Sequence, residues 1–304
     1  MVISFHQQLQ EALKPLPYHF RIYYINDGST DGTARQLDAI AAQDRRVRIV
    51  ELSRNFGQQA AMTAGLDMAQ GDYVITMDGD GQHPPSLIGE MIKLADAGYD
   101  IVLTQRVDDD GLSWFKRWSS KVFYHLINRL GDTAILAGGA DFRLCTQTAV
   151  KALRGMPEYH RFMRGMVAWV GFRTVILPFA PPQRLAGHTK YSLGRMLRLA
   201  MDAIFSFSLV PLYVALSVGG LFLVLALIEV IYVLSFWVTG NTSHLAPGWS
   251  SLMFVLLVVG GSLMIFLGFV GIYIGYIFQE VKRRPVYLIR QVKGGEEGDQ
   301  VGDE

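Results

Sequence analysis

Apolar residues along this chain keep two alternating rhythms and then merge into two solid blocks. Ile3, Phe5, Leu9 and Leu13 recur at helical spacing, and Pro15 and Pro17 close that helix. Residues 21–26, 47–52, 73–77 and 100–104 are short, bulky and partly β-branched, the pattern of buried strands. Polar turns follow the first three: Asp27-Gly28-Ser29-Thr30-Asp31-Gly32-Thr33, Ser53-Arg54-Asn55-Phe56-Gly57 and Asp78-Gly79-Asp80-Gly81. Helical stretches come next, to about residue 42, through residue 68 and over residues 85–97. Strand, turn and helix in this order predict an α/β domain with a mostly parallel, doubly wound sheet.

The rhythm changes after Arg106. Asp108-Asp109-Asp110 marks a polar turn, and a helix mixing rings with cations follows (Trp114, Phe115, Lys116, Arg117, Trp118, Lys121, Phe123, Tyr124). That mixture suits a membrane surface, and equally an ordinary amphipathic helix. Residues 137–144 read as a second glycine-loosened loop bearing Asp141 and Arg143, and residues 157–172 as helical again. Over residues 184–208, Arg184, Lys190, Arg195 and Arg198 interleave with Leu193, Met196, Leu197, Leu199 and Met201, an amphipathic approach to a bilayer.

Two apolar blocks follow, at residues 209–238 and 250–278. Each exceeds the ~20 residues a helix needs to cross a hydrocarbon core of ~30 Å. The stretch between them has no Lys or Arg, whereas Arg195 and Arg198 precede the pair and Lys282, Arg283, Arg284 and Arg290 follow it. The positive-inside rule then puts both termini, and the domain ahead of the first block, in the cytoplasm of a multi-pass inner-membrane protein. The expected organisation is a domain over 1–183, a juxtamembrane segment over 184–208, two transmembrane helices within 209–278, and a cytoplasmic tail over 279–304, Gly-rich and acidic at its end.

Composition narrows the partners. Half of the 304 residues are hydrophobic, only 18% are charged, and the net charge is +1, so no nucleic acid or other bulk polyanion is expected. The single cysteine, Cys145, rules out a disulfide framework within the chain. No basic segment followed by an apolar core opens the sequence, so no cleaved signal is read there.

Asp78 and Asp80 carry the sharpest chemical hint. Alternate residues of an extended chain point the same way, so the two carboxylates can face one ligand at the carboxyl end of a strand, where open α/β sheets bind their ligands. Such oxygens suit Mg2+ or Mn2+ bridging to phosphate. A polar turn accounts for the same residues. The glycine-bearing turn at Asp27 similarly makes either a nucleotide cradle or a plain helix cap through Thr30 or Asp31.

Six motifs in order carry a resemblance. They are Asn26-Asp27-Gly28-Ser29, Arg54-Asn55-Phe56-Gly57, Asp78-Gly79-Asp80-Gly81-Gln82-His83-Pro84, Gly139-Ala140-Asp141-Phe142-Arg143-Leu144, Arg184-x-x-Gly187-x-x-Lys190-Tyr191 and Arg283-Arg284-Pro285-x-Tyr287. Together with the two apolar blocks they resemble the polyprenyl-phosphate glycosyltransferases, inverting family-2 enzymes of GT-A fold similar to dolichol-phosphate mannose synthase and the GtrB-type glucosyltransferases. The resemblance runs over residues 3–290. It implies transfer of one sugar from a nucleotide-sugar, UDP-glucose being preferred, to a polyprenyl phosphate such as undecaprenyl phosphate at the cytoplasmic membrane face, for cell-envelope glycan. It also implies a divalent metal, a bilayer and a homo-oligomer.

The same resemblance assigns roles. Asp27, Arg54 and Asp78 would meet the nucleotide-sugar, and Asp78, Asp80 and Gln82 the metal. Arg117, Ser120, Arg143, Arg184 and Lys190 would meet the acceptor phosphate, with Arg106 a weaker candidate. Asp141 and Asp80 would be catalytic. Asp141 aligns with the family's proposed base, yet a phosphate monoester with a second pKa of ~6 is already largely anionic at neutral pH and needs little proton abstraction. The family departs from this chain at two points. Asn26 stands where an aspartate is usual, and the family opens with an apolar strand and a Pro-x-x-Asn-Glu turn, whereas this sequence starts inside the helix that follows. A central strand is therefore expected to be missing, and a non-catalytic scaffold or relic is the alternative function.

Overall fold

The computed structural model describes residues 1–107, 139–159, 161–180, 210–239 and 248–295. Among these, residues up to 180 and from 284 onward form one compact unit, and residues 210–283 a second. The first unit runs α1 (Val2–Leu13), β1 (Ile22–Asn26), α2 (Thr33–Gln43), β2 (Val47–Leu52), α3 (Gln58–Met68), β3 (Tyr73–Thr76), a short 3-10 turn (Pro85–Leu87), α4 (Ile88–Asp96), β4 (Ile101–Arg106), β5 (Gly139–Thr146), α5 (Gln147–Arg154), α6 (Met163–Trp169) and β6 (Thr174–Phe179). After the helices α7 (Val210–Thr239) and α8 (Trp249–Lys282) of the second unit, the chain returns to the first as β7 (Ile289–Gly294).

The strands form two sheets, in the orders β1-β2-β7 and β3-β5-β4-β6. The expectation of a mostly parallel sheet is corrected here. The pairs β1–β2 and β4–β6 are parallel, while β2–β7, β3–β5 and β4–β5 are antiparallel. The cause is β5, read from sequence as a loop. It is a buried central strand, with Leu144 opposite both Ile75 and Val102. Its alternation explains it: Ala140, Phe142 and Leu144 join the core with α1 and α4, while Cys145 joins the core with α5 and α6. Residues 157–172 are helical only over Met163–Trp169, Pro157 barring continuity from α5. The tail, too, holds a strand the sequence reading did not place. β7 pairs along β2, and Tyr287 donates to Asp67 and Lys293 to Asp38 at 2.9 Å each.

Apolar clusters lie on both faces of the sheets. Phe5, Leu9, Leu13, Leu37, Ile88 and Met91 pack on one, and Leu66, Val150, Leu153, Met163 and Met166 on the other. Between β1 and β3 the layer is interrupted. Each strand is the edge of its own sheet among the described residues, and a cavity of 1120 Å³ is lined by Ile22–Asn26 on one side and residues 73–77 on the other. Phe5, Leu9 and Leu13 of α1 and Ala61, Met62 and Gly65 of α3 also line it. Packed interiors hold few voids larger than one water, so this slot is a structural feature of its own.

In the second unit α7 and α8 pack on each other. Among the described residues, Val258–Lys282 is long and apolar enough to cross a bilayer, and α7 contains the shorter apolar stretch Leu212–Phe222. Large apolar side chains point outward from both helices, Leu216 being 73% and Met264 72% exposed.

Asp44, at the end of α2, ties α1 to the sheet. It accepts from Arg46 at 2.7 and 2.9 Å and from Gln10 of α1 at 3.0 Å, beside His6. The Arg46 guanidinium holds the Asp44 carboxyl well below the usual carboxylate range, overcoming burial. A carboxylate depressed in this way stabilises the fold above its unfolded pKa of ~3.9, and that contribution is lost as pH falls through the acid range. Asp44→Asn is expected to cost about 1–3 kcal/mol at pH 7. The gap between variant and parent should close as the pH is taken below about 4 in denaturant melts. A gap independent of pH would contradict this role.

Candidate active site

Three chain segments converge at the start of α3. The first is the turn after β1. Asp27 accepts from the backbone amides of Phe56 and Gly57 at 2.7 and 2.8 Å, so its carboxylate caps the approach to α3. Asn26 accepts from the Ser29 amide at 3.1 Å, which a neutral carboxamide does as well as a carboxylate. Asn55 donates back to the Asp27 carbonyl at 3.2 Å. The two turns approach so closely that a Cβ on Gly28 would lie 2.5 Å from the Arg54 carbonyl carbon, and Gly28 has φ +62. Only glycine fits that crossing. Arg54 lies over the Phe56 ring at 4.1 Å.

The second segment follows β3. Gln58, the first residue of α3, donates to Asp78 at 2.9 Å. The Asp78 amide donates to Nδ1 of His83 at 2.9 Å, which closes the turn on a ring stacked against Phe142. Burial pushes the His83 pKa down, leaving a neutral imidazole that can accept this bond. Burial also pushes the Asp78 carboxyl up, His83 opposes, and the charges of Asp141 and Asp80 add to the rise. Asp80 accepts from Gln82 Nε2 at 2.5 Å, and the Gln82 side-chain Oε1 accepts from Arg106 at 3.1 Å. Gln82 thus links Asp80 to Arg106, its oxygen engaged by a guanidinium.

The third segment is β5. Asp141 and Arg143 share a face of a buried strand, with Arg143 Nη2 donating to Asp141 Oδ1 at 2.6 Å. Arg164, in the first turn of α6, donates through Nε and Nη2 to both oxygens at 3.2 and 3.1 Å. Burial raises the Asp141 pKa, but Arg164 and then Arg143 outweigh it, and the carboxyl titrates below its ordinary value. Gln58 reaches Asp141 Oδ2 at 3.5 Å, so one amide spans Asp78 and Asp141.

The fold therefore brings Asp27, Arg54, Asp78, Asp80, Gln82, Asp141 and Arg143 into one region around the start of α3. Arg143 is closed off, its side chain 4% exposed, so it acts on that region through Asp141. Arg117, Ser120, Arg184 and Lys190 lie outside the described residues, as do the two amphipathic stretches that carry them. Gln58, His83 and Arg164 join the site without being candidates from the sequence. His83 sat within a quoted motif, while Gln58 and Arg164 have no local signal. Among the described residues no three His, Cys, Asp or Glu side chains are grouped to hold a metal on their own. Asp78 and Asp80 suit a hard divalent cation that takes its other ligands from phosphate and water.

Residues 5–154 match the model of glycosyl transferase family 2. An uncharacterized glycosyltransferase of Synechocystis sp. is 40% identical over 287 residues, 94% of this chain and 90% of that protein. The prophage bactoprenol glucosyl transferase homolog of Escherichia coli is 36% identical over 293 residues, 95% of this chain and 94% of that one. A mannosyltransferase of Pyrobaculum calidifontis, solved with GDP-Man and Mn2+, is 14% identical over 93% of this chain and 83% of that one, with a TM-score of 0.43. The chain belongs to glycosyl transferase family 2, the family its motifs pointed to, and is a glycosyltransferase.

Proposed function

We propose that this glycosyltransferase moves one sugar from a nucleoside diphosphate sugar, UDP-glucose in the preferred case, to a polyprenyl phosphate at the cytoplasmic membrane face. A single displacement turns the donor's α linkage into a β-linked lipid monosaccharide. Relatives named bactoprenol glucosyl transferase in Shigella flexneri and its phages, 36% identical across 94% of their length, support this reading. The observation that carries it is the Gln58 bridge, which sets the Asp78 carboxylate one side chain away from the arginine-held Asp141. Donor-side and acceptor-side groups then share one small volume, as a direct displacement requires.

Asp78 and Asp80 would hold Mg2+ or Mn2+, with Gln82 steadying Asp80. When bound, the cation supplies charge neutralisation for the departing diphosphate. Asp27 fixes the loop beside the nucleoside, and Arg54 on Phe56 borders it. The acceptor's phosphate oxygen attacks already anionic, and Arg117, Ser120, Arg184 and Lys190 would gather that phosphate near the bilayer. Both α7 and α8 serve as membrane spans in this reading. Their outward apolar side chains, and the cations that flank the pair but not its connection, support that placement.

A membrane protein of this family that does not catalyse is the alternative reading. The slot between β1 and β3 is read as the seat of an extended strand. The ends of β1 and β3 meet at the same helix start, through Asp27 and through Asp78, so the strands run alike. A segment joined ahead of α1 would enter between them as the first strand of a βαβ unit. Placing a β-branched strand of about six residues and a short turn ahead of Val2 is expected to raise both the thermal midpoint and the transfer rate. If neither moves, the slot has another use.

Membranes holding the full chain, given labelled UDP-glucose and undecaprenyl phosphate, should yield a lipid-extractable, mild-acid-labile glucose. Asp80→Ala is expected to cut that yield by about a hundredfold or more while membrane insertion is kept. Absence of any lipid-linked sugar, with every nucleotide-sugar tried, would sink the enzyme reading, and unchanged yield in Asp80→Ala would sink the metal assignment.

A further inference from the structure

We propose that Tyr287 is a positioning residue, which holds the turn over residues 53–57 and the start of α3, and through them the nucleotide side of the site. The assignment rests on the donor reading proposed above. Tyr287 ends the Arg283-Arg284-Pro285-x-Tyr287 motif, which the site geometry leaves without a role.

The returning chain grips residues 53–68 at three points. At the entrance, Leu52 pairs with Ile289, and the Ser53 amide donates to the Leu288 carbonyl at 2.8 Å, extending the β2–β7 pairing by one link. At the exit, the Tyr287 hydroxyl donates to Asp67 in the last turn of α3 at 2.9 Å. Between the two, the Tyr287 and Phe56 rings pack against one apolar cluster of Val50, Leu52 and Ala64. What the site draws from this segment lies between the grips. Phe56 and Gly57 give their amides to Asp27, Arg54 lies over the Phe56 ring, and Gln58 bridges Asp78 and Asp141.

Core packing does not account for the return. Ile289 is 38% and Val292 45% exposed, so β7 removes little apolar surface from water and adds little hydrophobic stabilisation. Tyr287 differs from its neighbours Leu288 and Ile289 in being half-buried. Burial, and then the Asp67 carboxylate, push its phenol pKa well above the ordinary value, so it stays a hydrogen-bond donor at neutral pH. A ligand binds best to a loop already in place. A turn held for only about a tenth of the time lowers the apparent affinity about tenfold.

The full chain in detergent is compared with Tyr287→Ala, Tyr287→Phe and Lys293→Ala. The last is a control on β7 itself, removing the bond to Asp38 of α2 at the far end from the turn. Two quantities are read: hydrogen exchange of the Phe56 and Gly57 amides without ligand, and UDP affinity with Mn2+ by titration. Tyr287→Ala is expected to speed exchange over residues 53–58 and to weaken UDP about tenfold. Tyr287→Phe keeps the ring and loses the Asp67 bond, so it should fall between Tyr287→Ala and the parent in both readouts. Lys293→Ala should match the parent in both. A tyrosine that serves stability alone would lower the thermal midpoint of Tyr287→Ala while leaving turn exchange and UDP affinity unchanged. That result, or equal effects in Lys293→Ala, overturns the proposal. A parent that binds no UDP defeats the donor reading above, and the exchange then decides the Tyr287 assignment alone: faster in Tyr287→Ala upholds it, unchanged overturns it.

Discussion

A carboxylate on a buried strand stays ionised only where cations meet it, and the Asp141 site is built on that requirement. Taking a charge out of water costs several kcal/mol, and a pair broken by losing one partner typically costs about 3–5 kcal/mol. Arg143 and Arg164 meet the demand at 2.6 to 3.2 Å. They also commit the backbone. Arg143 reaches back to the Met163 carbonyl, Thr76 donates to the Asp141 carbonyl at 3.0 Å, and Thr104 donates to the Phe142 carbonyl at 2.7 Å. The ion pairs tie β5 to α6, and the two threonine hydroxyls tie its backbone to β3 and β4, the elements that surround the Asp78 turn.

The start of α3 is the second fixed point. Asp27 holds the amides ahead of it, Gln58 stands on its first residue, and Gln59 holds the start of α6. In the transfer proposed above a nucleotide, a metal and an anionic acceptor all carry charge, and the elements around this helix start hold carboxylates and guanidinium groups together. The slot between β1 and β3 opens onto the same place, since its lining includes Asn26, Ser29, Gln58, Asp78 and Asp141. A strand seated there would end against these side chains, so the completeness of the sheet and the shape of the site are one question.

Much of this was legible in the sequence, and the misses have physical causes. The elements from α1 to β4 follow local rules: apolar period, breaker residues and turn chemistry. Asp78 and Asp80 stood out because two carboxylates end a buried strand. β5 did not, since Gly138-Gly139 and the Asp141/Arg143 charges mimic a loop, and only its period-two alternation betrays a strand whose charges cancel on one face. β7 follows a membrane-length helix, is largely exposed, and owes its conformation to backbone pairing with β2. Gln58, His83 and Arg164 act through partners 20, 5 and 23 residues away, and for Gln58 and Arg164 no local pattern reports such partners.

The central claim is that the acidic pair at the end of β3 and the charged cluster on β5 together make a nucleotide diphosphate site that needs a divalent cation. Calorimetric titration of UDP into the 304-residue chain in detergent, with Mn2+ and then with chelator, tests it most directly. The account expects saturable UDP binding that weakens at least about tenfold without the metal. Equal affinity in chelator, or no UDP binding under either condition, would contradict it.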